Sequence, residues 1–192
     1  MDLGDGRTIL LAGQADRVDR GVASDRIVVW DYKYSGPAEY AALADDEDDG
    51  GDPLAGGTKV QLVAYAMAAA AAVDEPGHEP EVHAWYWFLK PPATNRAVGY
   101  RVTPELRDRF RRVLRVLTDG IAAGHFPARP GEHQYHRGNF EHCAWCDFDA
   151  ICPRDRDEEW ARASRHPALA PLVALAEEGS AAVLAPAEGA QR

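Results

Sequence analysis

The stretch RIVVWDYKY, residues 26–34, carries the strongest structural signal in the sequence. Its β-branched and aromatic residues alternate with polar ones, which predicts a strand with two different faces. Because successive side chains of a strand point to opposite faces, Asp31 and Lys33 share one face. The preceding stretch TILLAGQADRVDR, residues 8–20, predicts a second strand, joined to the first by a turn at 21–25. Two paired strands therefore carry acidic side chains.

The rest of the sequence predicts further helices and strands around this pair. Alanine propensity favours a helix over 58–73, and Thr103 and Pro104 begin a long amphipathic helix over 104–123. The fold class is therefore α/β, a mixed central sheet flanked by these two helices. The other expected elements are strands at 81–90 and 97–102, a long flexible loop at 35–57, a short helix near 155–164 and a weak helix after Pro167.

Composition limits what the protein can be. The chain has 192 residues and a formal charge of −10, from 21 Lys+Arg and 31 Asp+Glu, a balance typical of a globular domain. It has no apolar run of about 18 residues, the length that a membrane span needs. Acidic residues stand near the N-terminus, where a signal peptide has basic ones. We therefore expect a cytoplasmic protein without a membrane span.

The excess of acid disfavours nucleic-acid binding, since a phosphate backbone normally selects a basic surface. Six of the acids, however, lie in the run DDEDDGGD, residues 45–52, which we expect to be a solvated loop. Metal-dependent phosphodiester hydrolysis also requires clustered carboxylates. The acidity is therefore compatible with that chemistry.

Two groups of residues have the composition of a metal-dependent hydrolytic site. Asp16 and Asp31 offer the carboxylates that a hard ion such as Mg²⁺ prefers, and Lys33 can hold a water or stabilise developing charge. Gln61 and Tyr65 lie one helical turn apart, so they share a face of the predicted helix. The order strand-Asp, strand-Asp-x-Lys, loop, helix-Gln-x-x-x-Tyr is much more specific than any of its parts.

These segments resemble the PD-(D/E)XK nuclease superfamily and, within it, the RecB/AddB-type nuclease domain. The resemblance rests on GQADRVD at 13–19, VVWDYKYSG at 28–36 and QLVAY at 61–65, with Tyr34 where a small hydroxyl residue is usual. It implies a restriction-endonuclease-like core. It also implies that Asp16, Asp31 and the backbone carbonyl of Tyr32 are metal ligands, that Lys33 is the catalytic lysine, and that Gln61 and Tyr65 line the site.

The function implied is a Mg²⁺- or Mn²⁺-dependent DNA exonuclease that acts beside a helicase in double-strand-break repair and recombination. Two alternatives stay open: a catalytically silent module that binds DNA or a partner, and a small zinc module. We expect Asp2, Asp5 and Asp19 to be solvated surface acids. The arginines of 105–115 are either phosphate contacts or a solvated helix face.

The three cysteines form a second candidate site. Cys143, Cys146 and Cys152 have the spacing C-x2-C-x5-C, which in a cytosolic chain favours metal ligation over disulfides. A tetrahedral zinc would take these thiolates and a histidine, whereas a 4Fe–4S cluster needs four thiolates. The candidate histidines are His133, His136 and His142.

The family resemblance favours the cluster, since AddB-type domains carry the same spacing after the nuclease core and take a fourth cysteine from before it. We therefore expect a nuclease core at 1–124, an iron–sulfur segment at 125–165 and an alanine-rich tail at 166–192. The fourth cysteine and the family's first helix are both missing before Thr8. This predicts that the chain is the C-terminal part of a longer protein or a truncated product.

Overall fold

The computed structural model describes residues 1–43, 51–73, 80–92, 96–135, 138–144 and 146–184. The chain forms two compact units, one of residues 1–115 with 175–192 and the other of residues 116–174. Its strands are β1 (Arg17–Arg20), β2 (Arg26–Lys33), β3 (Glu81–Phe88), β4 (Arg96–Arg101), β5 (His133–Gln134) and β6 (Asn139–Phe140). Its helices are α1 (Gln61–Ala72), α2 (Pro104–Ala122), α3 (Arg156–Ala163) and α4 (Ala170–Leu184).

The first unit is built on a four-stranded sheet in the order β1-β2-β3-β4. β1 runs antiparallel to β2, β2 runs parallel to β3, and β3 runs antiparallel to β4. A parallel pair needs a crossover connection, and α1 supplies it between β2 and β3. The predicted mixed sheet is therefore confirmed, and the parallel register places Asp31 opposite Tyr86 and Lys33 opposite Phe88.

The core lies on one face of this sheet. β2 and β3 alternate strictly in burial, with Ile27, Val29 and Asp31 on the buried side of β2. The alanine-rich helix α1 packs against these two strands and buries Leu62, Val63 and Ala66 in the core. The first half of α2 adds four more core residues, Leu106, Phe110, Val113 and Leu114.

The sequence-based expectation of a strand over 8–20 is wrong in its first half. Pairing with β2 begins only at Arg17, and Thr8 instead forms an isolated bridge with Asp2. Continued pairing would place Ala15 opposite Tyr32. The carboxylate of Asp16 takes the Tyr32 N–H instead, so a side chain replaces the next backbone partner and the ladder ends.

The expected loop at 35–57 also contains ordered structure. Short 3₁₀ turns occupy Ala38–Leu43 and Ala55–Gly57. Asp52, at the end of the acidic run, is buried rather than solvated: it accepts hydrogen bonds from the N–H groups of Leu54 and Gly56 and pairs with Arg109 at 3.1 Å. Residues 45–50 of the run lie outside the described part of the chain.

The second unit contains the β5–β6 hairpin, a 3₁₀ turn at Asp149–Ile151 and α3. The Arg156 guanidinium pairs with the Asp149 carboxylate, which connects α3 to that turn. The short helix expected near 155–164 is therefore confirmed, and the tail forms the 15-residue helix α4. In the described residues, no helix has the length and apolar character needed to cross a bilayer.

Candidate active site

Asp31 and Lys33 form an ion pair on the core face at the end of β2. Oδ2 of Asp31 lies 2.5 Å from Nζ of Lys33. The Asp31 side chain is 6% exposed and that of Lys33 is 24% exposed, so the pair lies at the edge of the core with the lysine reaching solvent. The expectation that the two side chains share one face is confirmed.

Asp16 lies beside this pair, just before β1. Its Oδ2 accepts a hydrogen bond of 2.7 Å from the backbone N–H of Tyr32, the residue between Asp31 and Lys33. The Asp16 side chain is exposed. The structure thus brings the exposed carboxylate of Asp16 and the buried carboxylate of Asp31 to the same end of β2. Asp16 itself is not in a strand.

These oxygens suit a hard divalent ion. Oδ2 of Asp31 is buried, and the Lys33 ammonium at 2.5 Å balances its charge. A buried carboxylate is unfavourable without a cation, and a divalent ion would add to the compensation that Lys33 provides. One or two carboxylates with water and carbonyl oxygen is the usual donor set for Mg²⁺, and Asp16, Asp31 and Tyr32 offer it.

The helical motif meets the first motif through a close contact. Nε2 of Gln61 donates a 2.9 Å hydrogen bond to the hydroxyl of Tyr65, as their helical spacing predicts. The Tyr65 ring lies directly on Gly13, where an added Cβ would be 2.7 Å from Cε1 of the ring. All three sequence motifs therefore lie together, with Tyr65 against the segment that leads to Asp16.

A tyrosine pair beneath the ion pair was missed by sequence reasoning. Tyr86 lies opposite Asp31 on β3, and the Lys33 ammonium is 5.3 Å from the centre of its ring. Burial, with a further contribution from the Asp31 charge, holds the pKa of Tyr86 well above its usual value. The Tyr40 ring packs on Tyr86 in a tilted arrangement, with ring centres 4.6 Å apart. Only the parallel register of β2 and β3 could have revealed this neighbourhood.

Asp19, expected to be a solvated surface acid, instead connects the two strands that carry the acidic residues. It accepts hydrogen bonds from Nε of Arg17 at 2.8 Å and from Nε1 of Trp30 at 2.9 Å. The Arg17 hydrogen bond lowers the pKa of Asp19. Asp19 lies on the sheet face opposite the ion pair, where Trp30 also contacts Trp85 and Trp87.

The cysteines do not form a metal centre as the structure places them. Cys143 and Cys152 are partly buried, Cys146 is exposed, and all three are free thiols. No group of three or more His, Cys, Asp or Glu side chains within the described ranges could hold a metal ion. The Arg156 side chain interacts with that of Cys143, and Nδ1 of His142 is hydrogen-bonded to the Arg129 carbonyl at 3.0 Å. His136 lies outside the described residues, and the iron–sulfur group stays a prediction.

Comparison with known proteins agrees with the geometry at residues 13–65. The family model of the PD-(D/E)XK nuclease superfamily matches residues 1–153. No curated protein and no solved structure matches the chain. The matched range includes the whole four-stranded sheet, the Asp31–Lys33 pair and the helix that carries Gln61 and Tyr65. The chain therefore belongs to the PD-(D/E)XK nuclease superfamily, whose members are generally nucleases.

Proposed function

We propose that this chain is a metal-dependent deoxyribonuclease domain that hydrolyses phosphodiester bonds with Asp16, Asp31 and Lys33. The observation that carries the proposal is the ion pair between the buried Asp31 carboxylate and Lys33, in which Oδ2 of Asp31 lies 2.5 Å from Nζ of Lys33. Asp16 lies one backbone hydrogen bond away, at the N–H of Tyr32. Few structural roles require two carboxylates and a lysine in this arrangement.

Each residue has a role that its position allows. The carboxylates of Asp16 and Asp31 and the carbonyl of Tyr32 would hold Mg²⁺ or Mn²⁺, which polarises a phosphate and lowers the pKa of a bound water. The Lys33 ammonium orients the attacking water and stabilises charge on the phosphate oxygens. The Gln61–Tyr65 pair positions the segment of Asp16 through the Tyr65–Gly13 contact.

The narrower proposal is an exonuclease of the RecB/AddB type, acting on DNA beside a helicase in the cytoplasm during double-strand-break repair. It is supported by the order and the residue identities of the three motifs, GQADRVD, VVWDYKYSG and QLVAY. The C-x2-C-x5-C spacing supports the same subfamily. A cluster at these cysteines would be a structural staple, and no part of the hydrolytic proposal depends on it.

The test is Mg²⁺- and Mn²⁺-dependent cleavage of end-labelled single- and double-stranded DNA by the full chain. Asp31→Asn and Lys33→Met keep side-chain shape while they remove the charges, and each is expected to lower cleavage by at least about a hundredfold. Lys90→Met is the matched control, since it removes an exposed lysine charge outside the pair. Equal cleavage by wild type and Asp31→Asn would contradict the proposal.

The same assay distinguishes the silent alternative. DNA retained by the wild-type chain without cleavage at millimolar Mg²⁺ would identify a DNA-binding module and overturn the enzymatic proposal. Isothermal titration calorimetry measures divalent-ion binding directly. Loss of that binding in Asp31→Asn would assign the ion to this carboxylate independently of DNA cleavage.

A further inference from the structure

A second lysine stands on the far side of the tyrosine pair. Nζ of Lys59 lies 4.4 Å from the centre of the Tyr40 ring. The centres of the Tyr40 and Tyr86 rings are 4.6 Å apart, and Lys33 stands 5.3 Å from the centre of the Tyr86 ring. The sequence has only three lysines, and two of them therefore flank one pair of packed tyrosine rings.

The surroundings hold Lys59 in place without neutralising it. Tyr40 is 8% exposed and also contacts Phe88, so the ring under the ammonium is fixed by the core. In the part of the chain that the structure describes, the Lys59 ammonium has no carboxylate partner. This distinguishes it from Arg109, Arg111 and Arg26, which pair with Asp52, Asp108 and Glu81.

The N-terminus of α1 adds partial positive charge close to Lys59. Lys59 stands two residues before Gln61, the first residue of the helix. No side chain caps this end of α1 and no acidic residue lies in its first turn. The partial positive charge of a helix N-terminus is therefore not offset within the first turn.

On this basis, and resting on the proposed nuclease function, we propose that Lys59 binds a non-scissile backbone phosphate of the DNA strand held at Lys33. Each step from Lys33 through Tyr86 and Tyr40 to Lys59 is between 4.4 and 5.3 Å. Phosphates of one strand follow each other about every 3.4 Å along the duplex axis. Lys33 and Lys59 are both partly exposed, so their ammonium groups are near enough to contact phosphates a few nucleotides apart on one strand. Lys59 then positions the strand without contacting the reacting atoms.

A phosphate contact of this kind has a measurable signature. It releases counterions when DNA binds, so its loss lowers the salt dependence of binding, and it carries no base information. Removal of one such contact reduces the slope of log K against log salt by about 0.7–0.9. It should also raise KM while kcat is retained, since the contact is equal in ground and transition states.

The experiment compares wild type, Lys59→Met, Lys59→Arg and Lys90→Met as full chains. Lys59→Met keeps the aliphatic stem over Tyr40, so a stability loss alone does not produce the expected result. Binding of a fluorescent single-stranded oligonucleotide is titrated over a salt series without divalent ion, and cleavage is then measured with Mg²⁺. We expect Lys59→Met to lose about 0.7–0.9 of the salt slope and to raise KM about tenfold at unchanged kcat, with Lys59→Arg restoring both.

Three outcomes have different consequences for the two proposals. A wild-type slope and KM in Lys59→Met, in a chain that cleaves DNA, overturns the phosphate contact and leaves the nuclease proposal intact. A fall of kcat with an unchanged slope also overturns it, because Lys59 would then act at the reacting centre. If the wild-type chain does not cleave DNA, the nuclease proposal fails, and the salt slope still tests Lys59 by itself.

Discussion

Gly13 is the residue whose missing side chain matters most to the candidate site. A Cβ at this position would lie 2.7 Å from Cε1 of Tyr65 and 3.1 Å from its hydroxyl. Real Cβ atoms do not approach so closely, so either the Tyr65 ring or the segment from Gly13 to Asp16 would have to shift. A shift of the ring disturbs its hydrogen bond from Gln61, and a shift of the segment reaches Asp16, a proposed metal ligand that accepts the N–H of Tyr32.

Gly13→Ala is therefore expected to lower DNA cleavage at least tenfold and to cost about 1–3 kcal/mol of unfolding free energy through overpacking. Cleavage rate and urea unfolding are measured together. Gly36→Ala is the matched control, because a Cβ there has no atom within 4 Å. Replacing the Tyr65 ring as well, in Gly13→Ala/Tyr65→Leu, should recover part of the stability loss. A Gly13→Ala chain with wild-type rate and stability would contradict the contact.

Single residues also show what sequence reasoning can reach at this scale. Alternation in RIVVWDYKY is enough to place Asp31 and Lys33 on one face, because strand periodicity is local. Tyr86 and Tyr40 could not be found in this way. Their contact with the ion pair depends on the register between β2 and β3, which are separated by a loop and a helix, and local patterns carry no information about such register.

At the scale of elements, Asp19 connects β1 to β2 through hydrogen bonds from Arg17 and from the Trp30 indole. β1 has only four residues, so this side-chain connection adds to a short ladder. The Arg17 hydrogen bond lowers the pKa of Asp19 in the folded chain. A lowered pKa means that the carboxylate stabilises the fold at neutral pH, where it is charged in both states.

Asp19→Asn should therefore destabilise the chain above about pH 4, the unfolded pKa of an aspartate, and this difference should vanish as the pH falls through the lower folded pKa. Because Asp19 is 40% exposed, the loss is expected to be at most about 1 kcal/mol. Urea unfolding of both chains from pH 7 to pH 3 measures it. The comparison variant is Asp108→Asn, whose exposed pair on α2 should give a smaller difference. If the difference in unfolding free energy between wild type and Asp19→Asn grew as the pH fell, the prediction would be contradicted.

The Asp52–Arg109 pair shows how elements depend on contacts that composition hides. The run DDEDDGGD has the composition of a solvated loop, yet its last carboxylate is 3% exposed and holds two backbone N–H groups of the following turn. Arg109, from an arginine-rich helix that could equally have faced DNA, is its partner. One residue of the acidic run is thus part of the fold, because buried donors in the turn require an acceptor.

At the scale of the whole molecule, a net charge of −10 opposes the approach of DNA. Under the proposed function, association therefore depends on a local cationic region rather than on the overall field. The proposed centre of that region is Lys59, which has no carboxylate partner among the described residues, and a divalent ion at Asp16 and Asp31 would add to it. The helices, the sheet and the family could all be predicted from sequence. The local charge around Lys59 could not be predicted from sequence, because it depends on which acidic residues and arginines pair with each other in the folded chain.

The cysteine segment is a further feature on which the expectation from sequence and the structure differ. The spacing C-x2-C-x5-C favours metal ligands, whereas the structure leaves three free thiols with Cys143 against Arg156. Metal binding to thiolates is coupled to local folding, so a metal would rearrange residues 143–152 and displace the Arg156 contact.

Anaerobic purification of the full chain tests this prediction. If the segment takes up an iron–sulfur cluster, the protein is brown, absorbs broadly at about 400 nm and contains iron, and Cys146→Ser loses the colour. A colourless chain with one equivalent of zinc would favour the tetrahedral alternative. A colourless chain without metal would show that the three thiols are structural, and its unfolding transition would then be unchanged by a chelator, because nothing bound to the folded state is removed.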